Sequence, residues 1–113
     1  MTKREEYHLK FYKELIEGGE YYYVIDGSEG VGEFNRLSAL TLLSSDANER
    51  LIEIVNNIQN NMPYDPDFLR EYDEYYVLNI SFNNPYFFFG GFQTIHMADM
   101  KVFLQEWLDF KNS

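Results

Sequence analysis

The stretch EYYVLNISFNNPYFFFGGF, residues 74–92, holds the densest run of aromatic and β-branched residues in the chain. Its middle, Asn83-Asn84-Pro85, lies between two apolar runs. Asn and Pro favour chain reversal, so the pattern predicts a β-hairpin over about residues 75–92. In the first arm Tyr76, Leu78, Ile80 and Phe82 share one face, while Tyr75, Val77, Asn79 and Ser81 share the other. That two-residue alternation is the mark of a half-buried strand. The second arm carries Gly90-Gly91, which suggests a bulge or a close backbone approach. Residues 93–96 continue as a further strand segment.

Beyond the hairpin the period changes. Residues 98–111 read as a C-terminal helix, with Met100, Phe103, Leu104, Trp107 and Leu108 on one stripe and Asp99 and Lys111 suited to the helix dipole. Upstream, residues 3–17 also read as an amphipathic helix. Tyr7, Phe11 and Leu15 recur every four residues there, Tyr12 and Ile16 flank them, and His8 is expected on its exposed surface. Thr2 and Glu5 form a capping box, and Gly18-Gly19 is a stop signal.

Residues 20–26, EYYYVID, favour a strand. Tyr21, Tyr22 and Tyr23 cannot share one face, so an outward ring must pack under a loop or meet a partner. Residues 34–44 are ambiguous. Phe34, Leu37, Leu40 and Leu43 suit a helix, Leu40 and Leu42 suit a strand, and helix is favoured. Asp46, with Glu49 three residues on, opens a clearer helix. Its stripe is Leu51, Val55, Ile58 and Met62, with Ile52 and Ile54 at the margins and Pro63 ending it. Asp65-Pro66 opens a short acidic helix. The expected fold is α+β, a single domain over residues 1–113. A small antiparallel sheet with the central hairpin is packed by N-terminal, middle and C-terminal helices.

The 113 residues carry 19 acids against 9 bases, a formal net charge of −10. A field of that sign repels nucleic acid and anionic membrane and attracts basic partners. Ten tyrosines are too many to be all core, because each buried hydroxyl needs a partner. The absence of cysteine excludes a disulfide scaffold, thiol catalysis and thiolate zinc sites, and it fits a reducing compartment. The opening MTKREEYHLK is charged and has no apolar core of a signal peptide. A cytoplasmic protein without cofactor or metal is expected.

Chemistry-bearing residues are few. His8 and His96 are the available histidines, and His96 stands where strand passes into helix, as a cap or packed below it. The loop DGSEGVGE, residues 26–33, has no Lys after its glycines, so it fails as a phosphate loop. As an EF-hand loop it places Gly30 one position early, and Leu37 stands where a bidentate Glu is needed. It reads as a flexible acidic turn. Two acidic groupings remain as candidate partner-binding residues. One is Asp26, Glu29 and Glu33. The other is Tyr64, Asp65, Asp67, Glu71, Tyr72, Asp73 and Glu74, where acids supply steering and rings supply contact area.

The chain resembles the small acidic immunity proteins of bacterial polymorphic toxin systems, including those of contact-dependent growth inhibition. The resemblance lies in a short, acidic, cysteine-free chain with acids and tyrosines scattered through its middle. Its end runs from an aromatic strand through GGFQTIHMADMK, residues 90–101, into the amphipathic VFLQEWLDF, residues 102–110. It implies a non-enzymatic cytosolic inhibitor that neutralises one cognate toxin domain, often a basic nuclease. Two alternatives stand beside it. One is an acidic nucleic-acid mimic, whose carboxylate stripe would here be interrupted by Lys3, Arg4, Lys10, Lys13, Arg36, Arg50 and Arg70. The other is a small enzyme or ligand-binding domain with an aromatic pocket under the hairpin. A second copy could pair through residues 86–89 if they lie on a sheet edge, giving a homodimer.

Overall fold

The computed structural model describes residues 2–30, 32–64, 79–88 and 95–112. The elements are α1 (Lys3–Glu6), β1 (Lys10–Leu15), β2 (Tyr21–Asp26), a 3-10 helix (Gly32–Leu42), α2 (Ser45–Gln59), β3 (Ser81–Asn83), β4 (Tyr86–Phe88), β5 (Ile95–His96) and α3 (Met97–Lys111). The fold is α+β, as expected, but its strands form two antiparallel sheets, β1-β2 and β3-β4-β5.

The α3 helix is the spine of the core. Met100, Phe103, Leu104 and Trp107 are fully buried along the stripe read from the sequence, and Met97, outside that stripe, is buried with them. The α2 helix packs beside it through Ala47, Leu51, Ile54 and Val55. Buried Asn48 joins the two helices, its Nδ2 donating to the Leu104 carbonyl at 3.3 Å. From the N-terminal segment, the Phe11 ring stands edge-on to Trp107 at 4.9 Å and to Phe103 at 5.7 Å.

The helix expected over residues 3–17 is corrected. The capping box of Thr2 and Glu5 forms, but α1 is a single turn. His8, with φ 59°, then breaks the helix in the left-handed region, so it lies in a turn and not on a helix surface. Tyr7 is buried from the cap of α1, and beyond the turn Leu9 and Phe11 are buried with Lys10 exposed between them, the alternation a strand requires. Spacings of four fit a strand as well as a helix, so Tyr7, Phe11 and Leu15 satisfied both periods. Buried Leu9 decides for the strand. Gly18 and Gly19, at φ 99° and 84°, do adopt the left-handed backbone, but they form the β1-β2 turn. The turn closes with the Ile16 N–H donating to the Glu20 carbonyl at 2.8 Å.

The 3-10 helix resolves the ambiguity at residues 34–44. Leu37, Leu40 and Leu43 are buried and Phe34 packs against the core. Their spacing is three, the residues per turn of a 3-10 helix. For α2 the cap is Ser44, whose Oγ accepts the Ala47 N–H at 3.1 Å, while Asp46 sits inside the first turn. The helix stops at Gln59, before Pro63, because Asn60 caps it and Asn61 turns left-handed. Met62 therefore leaves the stripe and is exposed.

The reversal at residues 83–85 forms as read, but the first arm is shorter than expected: β3 begins at Ser81, and Asn79, at φ 52°, lies in a turn. Asn83 pairs with Tyr86 around Asn84-Pro85, whose peptide bond is cis, and Phe82 pairs with Phe87. Strand β5 adds to the other side of β4 through Tyr86↔His96 and Phe87↔Ile95. Residues 86–88 are thus the middle strand of this sheet, not an edge. The first arm before residue 79, the Gly90-Gly91 bulge and the acidic helix after residue 65 lie outside the described residues.

Candidate partner-binding surface

The β1-β2 hairpin projects a group of exposed apolar and aromatic side chains, Tyr12, Leu15, Ile16, Tyr21 and Tyr22. Its register pairs Phe11 with Ile25, Lys13 with Tyr23 and Leu15 with Tyr21 on one face. Lys10 and Asp26, Tyr12 and Val24, and Glu14 and Tyr22 share the other. Phe11 and Ile25 anchor the base in the core. Farther along the same face Tyr23 is half-buried, edge-on to Phe110 at 6.0 Å. At the tip that face passes beyond the core: Leu15 is 66% and Tyr21 53% exposed. On the opposite face Tyr12 and Tyr22 are exposed, and Ile16 is exposed in the turn.

Charge is divided between the two faces. The face of Tyr22 carries Glu14, and alternation brings Glu20 to the same side. The face of Leu15 carries Lys13, whose ammonium lies 4.3 Å from the Tyr21 ring centre. Glu17 completes the acids of the turn. The tip therefore carries exposed apolar side chains on both faces, with carboxylates on the Tyr22 face and in the turn. Such a combination suits recognition, with rings as contact area and charges as steering.

Of the sequence-stated candidates, Asp26 and Glu29 lie at the base of this hairpin. Asp26 Oδ1 accepts the Ser28 N–H at 2.8 Å, and that bond holds its carboxyl below the ordinary carboxylate range. Glu29 pairs with Lys10 at 3.3 Å, which holds the ammonium above its ordinary value. Both acids already have partners within the chain. Glu33 lies on the 3-10 helix. Tyr64 is exposed and edge-on to Phe82 at 6.3 Å. Asp65, Asp67, Glu71, Tyr72, Asp73 and Glu74 lie outside the described residues.

Gly27 and Gly30 of the 26–33 loop have a packing role. A Cβ on Gly27 would run into the Asn35 carbonyl, and one on Gly30 would lie 2.6 Å from Asn35 Cα. The loop lies tightly over the start of the 3-10 helix.

His96 is the N-cap of α3. It is exposed, its Nδ1 accepts the Ala98 N–H at 3.2 Å, and its ring stands edge-on to Tyr86. An open groove of about 300 Å³ runs between α2 and α3, lined by Ile52, Lys101, Val102, Gln105, Glu106 and Asp109. Its lining is not aromatic. Among the described residues, no cluster of His, Asp and Glu could hold a metal ion, and no helix is long and apolar enough to cross a membrane.

No protein-family model, curated protein or solved structure matches this chain.

Sequence reasoning did not mark Tyr12, Glu14, Leu15, Ile16, Glu17 or Glu20 as candidates, and it left Tyr22 as an outward ring that packs under a loop or meets a partner. The signal was present: KFYKEL and YYYVID are strand-prone runs joined by IEGGE, and the paired glycines mark a hairpin. The helix reading of residues 3–17 concealed it.

Proposed function

We propose that this protein is a non-enzymatic inhibitor that binds a cognate bacterial toxin domain with a basic face and neutralises it. The observation that carries this reading is the β1-β2 tip, where Leu15, Ile16, Tyr21 and Tyr22 are exposed beside Glu14, Glu17 and Glu20. Monomeric soluble proteins seldom leave contiguous apolar patches bare unless something covers them. A net charge of −10 steers a cationic partner toward the molecule and speeds capture. Burial of the rings then slows release. The resemblance to acidic immunity proteins agrees with this division of labour and implies a cytoplasmic site of action.

The test is co-expression with a candidate basic toxin domain taken from a neighbouring reading frame. Cells carrying both are expected to grow, and an affinity tag on this protein is expected to recover the toxin domain. Equal growth with and without this protein would refute the proposal.

A further inference from the structure

The β1-β2 sheet has two strands, so each strand has an outer edge. Two hydrogen bonds show which residues of β2 point outward. The Ile16 N–H to Glu20 carbonyl bond extends the ladder that runs through Glu14↔Tyr22 and Tyr12↔Val24. Antiparallel pairs alternate, so Leu15↔Tyr21, Lys13↔Tyr23 and Phe11↔Ile25 are the non-hydrogen-bonded pairs, with backbone groups directed outward. The Ile25 N–H confirms the phase, because it leaves the ladder and donates to Thr41 Oγ1 at 2.9 Å. The 3-10 helix thereby covers the β2 edge at its base. Toward the tip, the outward N–H and C=O groups of Tyr21 and Tyr23 have no hydrogen-bond partner among the described residues.

We propose that this free edge of β2 accepts an extended segment of the partner as an added strand, one in which Lys or Arg alternates with apolar residues. An exposed edge is a ready template for strand addition, with backbone bonds giving affinity and alternate side chains giving specificity. The hairpin's own alternation defines the complement. Glu14, Glu20 and Tyr22 face the side where an incoming strand would place its cations, while Leu15, Tyr21 and Tyr23 face the side where it would place its apolar residues. Tyr22 adds a ring face for a cation. A second copy of this chain is a poorer occupant, because it brings the same carboxylates and a net charge of −10. This inference rests on the reading that the hairpin meets a basic protein partner, and it names how the two join.

The experiment uses the full chain, isotope-labelled for NMR, with the synthetic peptide Lys-Val-Lys-Val-Lys-Val-Lys as probe. A second peptide of the same sequence and charge is N-methylated at every residue, so that it cannot pair with a strand edge. The unmodified peptide is expected to shift signals over residues 20–24 and to slow hydrogen exchange at the Tyr21 and Tyr23 amides. The methylated peptide is expected to bind at least about tenfold more weakly. Equal binding of both peptides, or no binding of either, overturns strand addition. So does concentration-dependent protection of those amides without peptide, which would mark self-pairing. The toxin domain separates this inference from the reading beneath it. Capture of the toxin with the two amides unprotected overturns the edge alone. Peptide binding without capture of the toxin overturns the reading and leaves the edge chemistry standing.

Discussion

The Glu106 carboxylate on α3 accepts the backbone N–H of Lys3 at 2.9 Å, and its second oxygen accepts the Arg4 N–H at 3.0 Å. One side chain thus satisfies two donors of the first turn of α1 from across the fold. A single helical turn has no stability of its own, since nucleation costs more than one turn returns. Its persistence depends on this clasp, on the Thr2–Glu5 capping box and on the Lys3–Asp99 ion pair at 3.1 Å. Glu106→Ala is expected to cost about 1–2 kcal/mol. Glu106→Gln should cost less, because the amide keeps one acceptor. Thermal unfolding of the two variants checks both the loss and its order.

Gly27→Ala and Gly30→Ala are expected to destabilise, each by about 1–3 kcal/mol. The added methyl meets the backbone or Cβ of Asn35, which cannot swing away as a flexible side chain can. Gly18→Ala meets no such obstacle but is strained by its φ of 99°. Urea midpoints should fall for all three. The first two should shift signals of the 3-10 helix, and the third should shift only the hairpin turn.

His8 lies at φ 59°, where a Cβ crowds the backbone. Its N–H bonds to the Glu5 carbonyl at 3.1 Å, so the backbone needs the conformation even though the side chain does not. His8→Gly is expected to stabilise by about 0.5–1 kcal/mol, in the manner of a glycine closing a helix. His8→Val should destabilise by a comparable amount or more. Paired denaturation curves test the sign.

Burial, aided by the Asp99 carboxylate, pushes the Tyr7 phenol up from its ordinary 10.0 to about 12. Between those values the unfolded chain has lost the phenolic proton and the folded chain still holds it. The native state then binds more protons, so stability falls as pH rises through that window. Lys111, pushed down by burial, contributes with the opposite sign, and Lys3, held up by Glu6 and Asp99, with the same sign as Tyr7. Comparison with Tyr7→Phe isolates the phenol. The variant's alkaline unfolding profile should be flatter between pH 10 and 12. At the acid end, Asp26 and Glu5 are held below their ordinary values by the Ser28 backbone N–H and by Thr2. Their contribution is present above the carboxylate range and is lost as pH falls through it.

Local pattern carried the reading wherever one period dominated. The Asn83-Asn84-Pro85 reversal and the α3 stripe from Met100 to Leu108 appear in the structure as read. The spacing of three at Phe34, Leu37, Leu40 and Leu43 gave the helical character, though the winding is 3-10. The failure at residues 3–17 came from positions that are multiples of both periods, and Leu9, which breaks the tie by its burial, was not part of the pattern read. The candidate surface was hidden for a different reason. Leu15 and Tyr21 lie on the same face as buried Phe11 and Ile25, and only the reach of the hairpin beyond α3 leaves them bare. That reach is a tertiary length, which no local pattern encodes. The candidates at residues 65–74 lie outside the described residues.

The exposed tip separates function from stability. Leu15, Tyr21 and Tyr22 are 66%, 53% and 51% exposed, so their replacement by Ser removes little buried area. Each single substitution is expected to change unfolding free energy by no more than about 0.5 kcal/mol. The same residues are candidate anchors for a partner, where truncating a buried aromatic costs about 2 kcal/mol or more of binding. The triple variant Leu15→Ser, Tyr21→Ser, Tyr22→Ser should therefore melt near the parent temperature and fail to recover the toxin domain. Phe11→Ala serves as the contrast. Its ring packs on Phe103, Trp107 and Phe110, and its loss is expected to cost about 3–5 kcal/mol. If the triple variant captures the toxin as well as the parent does, the partner docks elsewhere on the molecule. If it unfolds as readily as Phe11→Ala, the tip packs as part of the core.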